Sequence, residues 1–267
     1  MAALIGAALL CCGLAATAAD VAPAAPSGES RAEAPGPAPV ERLAIVDRSI
    51  EHHGGDRFER SVTRLELCSK GGCFEVVARI DGGLFAYDVA GRVSSGRRRV
   101  VATNDTVRVW DVAGDDRLVT GDEAQRMRDW AMQRVYFAFL PYRLNDPSVY
   151  KADQGLESWD GRELRRVKVT FEPGSSSGAS DEFVYWFDPD SALLVQFAYS
   201  FRESGGGLRF RRMVEPRRVG GILLHEQVNL GLDGPGQSVD RIDPAYVATM
   251  REVSLVELRG IEVEELE

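Results

Sequence analysis

The most suggestive catalytic pattern in this 267-residue sequence is the pentapeptide GSSSG at 174–178. It matches the G-x-S-x-G pattern of serine hydrolases, which requires a strand before the serine and a helix after it. Here Pro173 precedes the pentapeptide and strand-like residues follow it. The surroundings therefore predict a hairpin loop, and we predict no catalytic residue in the sequence.

The histidines are the next candidates, because imidazole is a common metal ligand. His52 and His53 are adjacent in a helical segment, where neighbouring side chains point about 100° apart and cannot easily share one ion. A solvated helix end, which favours histidine near its C-terminal dipole, explains them better. His225 lies out of phase with the apolar residues of a predicted strand and is expected to be exposed. We predict no metal site and no cofactor.

Two cysteines, Cys68 and Cys73, flank a four-residue loop between strand-like runs. In a hairpin of this kind the two side chains face each other at a distance that suits a disulfide. The spacing is not C-x-x-C, and no helix begins after the second cysteine to lower a thiol pKa. A structural disulfide is favoured over a reduced pair or a redox-active pair, and it indicates an oxidising compartment.

The N-terminal 40 residues differ in composition from the rest of the chain. Residues 1–19 carry no charged side chain and predict an export signal, since the apolar run is too short for a typical membrane-spanning helix. Cleavage near residue 19 is favoured over lipid attachment at Cys12. Residues 20–40 are rich in Ala and Pro and predict a flexible linker. The folded domain is predicted at 41–267.

The composition excludes two broad classes of protein. Hydrophobic residues make up 44% of the sequence and charged residues 27%, which is incompatible with wholesale disorder. The formal net charge of -9 disfavours nucleic-acid binding, because neutralising phosphates requires a surplus of basic residues. We therefore expect no nucleic-acid partner.

Period-two alternation of apolar residues dominates the domain and is broken by two helical segments. Glycine- and asparagine-rich turns separate the strand-like runs, which predicts an antiparallel meander of nine to eleven strands. The helical segments are 41–53, which Gly54 ends, and 122–140, which Pro141 ends. A sheet of this size curls, and we expect the two helices to cover its concave apolar face. The predicted fold class is mainly β with two main helices.

Three segments resemble a known group of proteins: residues 137–149 continued by 167–173, residues 181–201 with the turn Trp186-Phe187-Asp188, and residues 217–230. Together, over about residues 41–263, they resemble an uncharacterised family of bacterial envelope proteins related to the outer-membrane lipoprotein carriers LolA and LolB. That family usually has proline where this chain has His225. The resemblance implies a strongly curved antiparallel sheet, an incomplete barrel closed by helices, and a periplasmic location.

The carriers hold lipoprotein acyl chains in this fold, so the resemblance implies a binding protein for an acyl chain or another apolar ligand. The predicted lining residues are Trp130, Phe137, Phe139, Phe171, Phe187, Phe197 and Tyr199. These aromatics would equally fill an ordinary core. The alternative is therefore an envelope interaction or sensor domain with a filled core, no ligand and another envelope protein as partner. Membrane contact is expected only through a lipid anchor at Cys12.

Overall fold

One antiparallel sheet dominates the computed structural model, which describes residues 42–267 except 95, 112–113, 115, 174–180 and 203–204. Within the described residues the sheet has thirteen strands. They are β1 (Arg60–Ser69), β2 (Gly72–Asp81), β3 (Leu84–Val93), β4 (Gly96–Thr103), β5 (Val107–Trp110), β6 (Asp116–Val119), β7 (Val149–Trp159), β8 (Arg162–Phe171), β9 (Glu182–Phe187), β10 (Leu194–Phe201), β11 (Gly207–Val219), β12 (Ile222–Asp233) and β13 (Arg251–Glu265). The predicted export signal, the predicted linker and GSSSG lie outside the described residues.

The strand order shows two meanders joined in the middle of the sheet. The order is β6-β5-β4-β3-β2-β1-β13-β12-β11-β10-β9-β8-β7. The last strand, β13, pairs with the first, β1, while β6 and β7 are the two edges. Because the edges are not paired with each other, the sheet is open, and the predicted fold class is confirmed.

The described part of the sheet has thirteen strands, two more than the upper end of the predicted range of nine to eleven. Strand β7 illustrates why the predicted number was too low. This strand is an edge, and most of its residues are exposed or half-buried. A strand that buries few side chains carries little apolar alternation, which is the signal that sequence patterns provide.

Three α-helices are present in the described part of the chain. They are α1 (Ala44–His53), α2 (Gly121–Ala138) and α3 (Pro244–Val247). Helix α2 has Asp122 and Glu123 in its first turn, where the positive end of the helix dipole attracts acidic side chains and so stabilises the helix. Helix α1 ends at Gly54, whose φ of +148° and close contact with Ile222 leave little room for a side chain. No described helix is long and apolar enough to cross a membrane.

The sheet curves around α2. Trp130 of α2 contacts Phe74 of β2, and Phe137 contacts Phe197 of β10. A flat sheet would place β2 and β10 about 24 Å apart, at about 4.8 Å between neighbouring strands. The two helix residues are separated by only about 10 Å along the axis. The inner face of the sheet therefore wraps around one helix.

Both faces of the β8–β11 region are covered. On the inner face, β9 and β10 pack against α1 and the end of α2. On the outer face, Trp186 and Phe210 pack against Val239 and Ile242, from the segment that precedes α3. The sequence pattern predicted no helix or strand for this segment. Because the segment covers the outer face, the strands beneath it are apolar on both faces.

Candidate ligand-binding site

A layer of aromatic rings lies on the inner face of β9 and β10. Period-two alternation places Phe183, Tyr185 and Phe187 on one face of β9, and Phe197 and Tyr199 on the same face of β10. The pairs Tyr185–Phe197 and Phe183–Tyr199 are opposite each other in the register. Their ring centres are 5.6 and 5.1 Å apart, in stacked arrangements. We call these five residues the aromatic layer.

The end of α2 packs on the aromatic layer through Phe137. Its ring stacks on Phe197 at 5.8 Å and on Tyr199 at 5.4 Å. Phe171 of β8 meets Phe183 edge-on at 5.4 Å. The structure thus brings together five of the seven predicted lining residues, the fifth being Phe187.

The other two predicted lining residues lie elsewhere on the inner face. Trp130 packs against Phe74 of β2 at 5.8 Å, and Phe139 packs against Phe58 at 5.7 Å. Both belong to the cluster formed by β1–β6 and most of α2. Helix α2 thus divides the seven residues between the two halves of the sheet.

The aromatic layer, together with the two rings that pack on it, has a buried interior and a half-buried border. Phe197 is fully buried, whereas Phe137, Phe171 and Tyr199 are half-buried. We call these three residues the aromatic rim. Because Phe137 stacks on Phe197 and Tyr199, a ligand can reach the rings beneath Phe137 only if a rim side chain moves.

Two hollows in the described part of the chain lie away from the seven predicted lining residues. One has a volume of about 440 Å³ and is lined by residues 182, 200–202, 205–206 and 235–238. Another, of about 430 Å³, lies on the surface near Gln154 and Asp240. Neither is lined by any of the seven predicted residues.

Two buried phenols attach α2 to the aromatic layer. The hydroxyl groups of Tyr136 and Tyr185 are 2.8 Å apart and hydrogen-bonded. Burial raises the pKa of both phenols, so both stay neutral and one donates to the other. A buried hydrogen bond of this kind fixes the rotation of the helix relative to β9.

Arg211 of β11 covers the rim from the side. Its guanidinium lies 4.3 Å from the ring centre of Phe137 and donates to the Tyr199 hydroxyl and to Gln227 Oε1. Gln227 in turn donates to the carbonyl of Phe137 at 2.6 Å. This carbonyl is in the last turn of α2, where carbonyls lack a partner within the helix. The last turn is therefore held by β11 and β12.

The expectation of exposed histidines is wrong for two of the three. His53 is completely buried and His225 is 6% exposed. Their ring centres are 5.4 Å apart, because α1 packs across β12 at this point. Ile222–His225 are all buried, so period two does not predict which residue is exposed. Burial lowers the pKa of His53 to about 3 and that of His225 to about 4.

No group of three or more metal-ligating side chains is positioned to hold an ion within the described residues. The histidine pair is instead a buried neutral contact. The Nδ1 atom of His53 donates to the carbonyl of Ser49 at 2.7 Å.

The structure contains the predicted disulfide between Cys68 and Cys73. The two residues are directly opposite each other in the β1–β2 hairpin. Phe74, which follows the second cysteine, packs over Gly91 of β3 and against Trp130. The disulfide thus closes the hairpin that carries the partner of Trp130.

Sequence reasoning missed several members of the site. Phe183 and Tyr185 share the period-two face of Phe187, and that signal alone could have added them. Arg211 and Gln227 gave no signal, because their role depends on the contact between distant strands and the end of α2.

The fold is similar to those of solved bacterial proteins of low sequence identity. A DUF1329 family protein from Desulfovibrio piger is 13% identical, with 82% of this chain and 91% of that chain covered and a TM-score of 0.48. A LolA superfamily protein from Nitrosomonas europaea is 9% identical, with 84% and 94% covered and a TM-score of 0.48. No curated protein matches the sequence.

Residues 44–248 match the family described as "Family of unknown function (DUF6503)". The prediction that the chain belongs to an uncharacterised family is thereby confirmed. The match covers more than half of the sequence. The chain belongs to the DUF6503 family.

Proposed function

We propose that the chain is an exported cell-envelope protein that binds an acyl chain or another apolar ligand between α2 and the aromatic layer, and that it is not an enzyme. The observation that carries this proposal is the aromatic rim. The side chains of Phe137, Phe171 and Tyr199 are half-buried, although each of them contacts a buried ring of the aromatic layer. An apolar chain that replaced water at the rim would extend an existing apolar interior.

The energetics suit exchange with a membrane. Removing a sixteen-carbon chain from water is worth about 12 kcal/mol, at about 0.8 kcal/mol per methylene. A bilayer offers the chain a similar gain, so the net free energy of transfer between membrane and protein is small. Ligand entry requires Phe137 to leave Phe197 and Tyr199, and the bound chain then replaces those ring contacts.

The location in the envelope remains part of the proposal. The disulfide between Cys68 and Cys73 supports an oxidising compartment. Cleavage near residue 19 and lipid attachment at Cys12 predict different mature masses, so the intact mass of the exported protein distinguishes them.

Binding is tested with a fluorescent fatty acid titrated into the purified exported chain. Tyr199→Asp places a charge at the rim and is expected to abolish binding. Leu84→Asp is the matched control, because Leu84 is 65% exposed in β3 and away from the rim. If the wild-type protein does not bind the probe, or if both variants bind it as the wild type does, the proposal is wrong.

The second candidate is an interaction domain with a filled core. It is favoured by exposed apolar residues on the two edge strands, Leu118 on β6 and Leu156 on β7. Edge strands offer unpaired backbone groups to another chain. Under this candidate, a partner captured from envelope extract is lost in the Leu118→Lys or Leu156→Lys variant but retained in Tyr199→Asp.

A further inference from the structure

Two arginines converge on Trp130 at the inner face of the sheet. Val100 and Ala102 of β4 are buried, and alternation places Arg98 on the same face. Arg134 lies one turn after Trp130 on α2. The guanidinium carbons of Arg98 and Arg134 are 5.7 and 4.0 Å from the ring centre of Trp130. We call Arg98 and Arg134 the arginine pair.

The arginine pair has no carboxylate partner among the described residues. The neighbouring residues of β4 on the outer face are both paired: Arg97 with Glu75 at 2.9 Å and Arg99 with Asp88 at 2.5 Å. No ion pair within 4.0 Å joins Arg98 or Arg134 to a described acid. Neither guanidinium therefore has a counter-ion among the described acids, although both lie close to the same indole ring.

Arg134 packs on two aromatic rings, and one of its guanidinium nitrogens lacks a hydrogen-bond partner. Its guanidinium lies 4.4 Å from the ring centre of Phe74 as well as above Trp130. One terminal nitrogen donates to the Trp130 carbonyl, but the buried Nε has no partner. Burial and the charge of Arg98 lower the pKa of Arg134 to about 10. An anion bound at Arg134 would offset the charge of Arg98 and could accept a hydrogen bond from the Nε.

We propose that the arginine pair binds the carboxylate or phosphate head of an apolar ligand whose chain runs along α2 to the aromatic rim. Guanidinium groups present donors in a planar fork that matches both oxyanions. Trp130, Arg134 and Phe137 are spaced i, i+4 and i+7, so they follow one side of α2. The head site and the rim are about 10 Å apart along the helix. The inference rests on the proposed function for the apolar part of the ligand.

The test is calorimetric titration of the exported full-length chain with four ligands: inorganic phosphate, dodecyl phosphate, dodecanoate and dodecanol. Dodecanoate and dodecyl phosphate are expected to bind at least about tenfold more tightly than dodecanol, as one charge-assisted contact provides. Arg98→Gln and Arg134→Gln are expected to remove this advantage, whereas Arg99→Gln is expected to retain it. Arg99→Gln is the matched control, because it lies next to Arg98 on the opposite face.

The possible outcomes separate the two proposals. If dodecanol binds as tightly as dodecanoate and the arginine variants change neither, the head site is refuted and the proposed function stands. If inorganic phosphate binds as tightly as dodecyl phosphate, the pair is a site for a free anion and the head-group proposal is overturned. If no chain-bearing ligand binds, both proposals fail. Arg98 is half-buried, so Arg98→Gln remains informative even if Arg134→Gln does not fold.

Discussion

Acid should destabilise this protein through the buried pair His53 and His225. Both are neutral in the folded state, since burial lowers their pKa values to about 3 and about 4 from the usual 6.5. The nearby charge of Arg218 acts in the same direction. In the unfolded chain both titrate near pH 6.5, so between about pH 6 and pH 4 the unfolded state binds two more protons than the folded state.

The magnitude follows from this proton difference. For each extra proton that the unfolded state binds, the free energy of unfolding falls by about 1.4 kcal/mol for every unit by which the pH decreases. For the two histidines the loss between pH 7 and pH 4 is on the order of 5 kcal/mol, and it is absent above about pH 7. Stability should therefore rise with pH across this window and become independent of these groups beyond it.

The assay is urea unfolding followed by tryptophan fluorescence at pH 4 to 8, for the wild type and for the double variant His53→Gln, His225→Gln. Carboxylates contribute equally to both proteins, so the difference between the two pH profiles isolates the histidines. Parallel profiles, or NMR titration of either histidine in the folded protein near pH 6.5, would refute the reasoning.

Two further outcomes concern the attachment of α2 and the hairpin. Tyr136→Phe leaves the Tyr185 hydroxyl buried without its partner and should lower the free energy of unfolding by about 1–3 kcal/mol. In urea unfolding, the double variant with Tyr185→Phe should recover part of this loss. A double variant that is less stable than either single variant would contradict the argument. Replacing Cys68 and Cys73 by serine should cost about 2 kcal/mol, since the closed loop is short; thermal unfolding with and without reductant measures it, with the variant itself insensitive to reductant.

The parts of the fold that depend on local signals were predictable. Gly54 and Pro141 mark the ends of the two main helices, and the loop at 69–72 marks the β1–β2 hairpin. The number of strands was underestimated because edge strands such as β6 and β7 bury few side chains, and the burial of His225 was missed because α1 covers a face that alternation treats as free. Such errors arise where a contact between distant segments decides exposure.

The candidate site was likewise predictable only where local spacing decides which face a side chain lies on. The aromatic residues of β9 and β10 could be placed on one face from their spacing, and five of the predicted residues do lie together. Trp130 and Phe139 could not be separated from them by sequence, because both follow the apolar stripe of α2 that Phe137 borders. Only the path of the sheet decides which half each ring meets. The arginine pair was missed for a related reason, since a charged residue without a partner is recognised only when its neighbours are known.

The pairing of the first strand with the last has a consequence for how the chain folds. Arg64 on β1 and Glu264 on β13 are 200 residues apart in sequence and hydrogen-bonded. Contacts between such remote segments form late, because closing so long a loop costs much chain entropy. The centre of the sheet stays incomplete until the ribosome has delivered nearly the whole polypeptide.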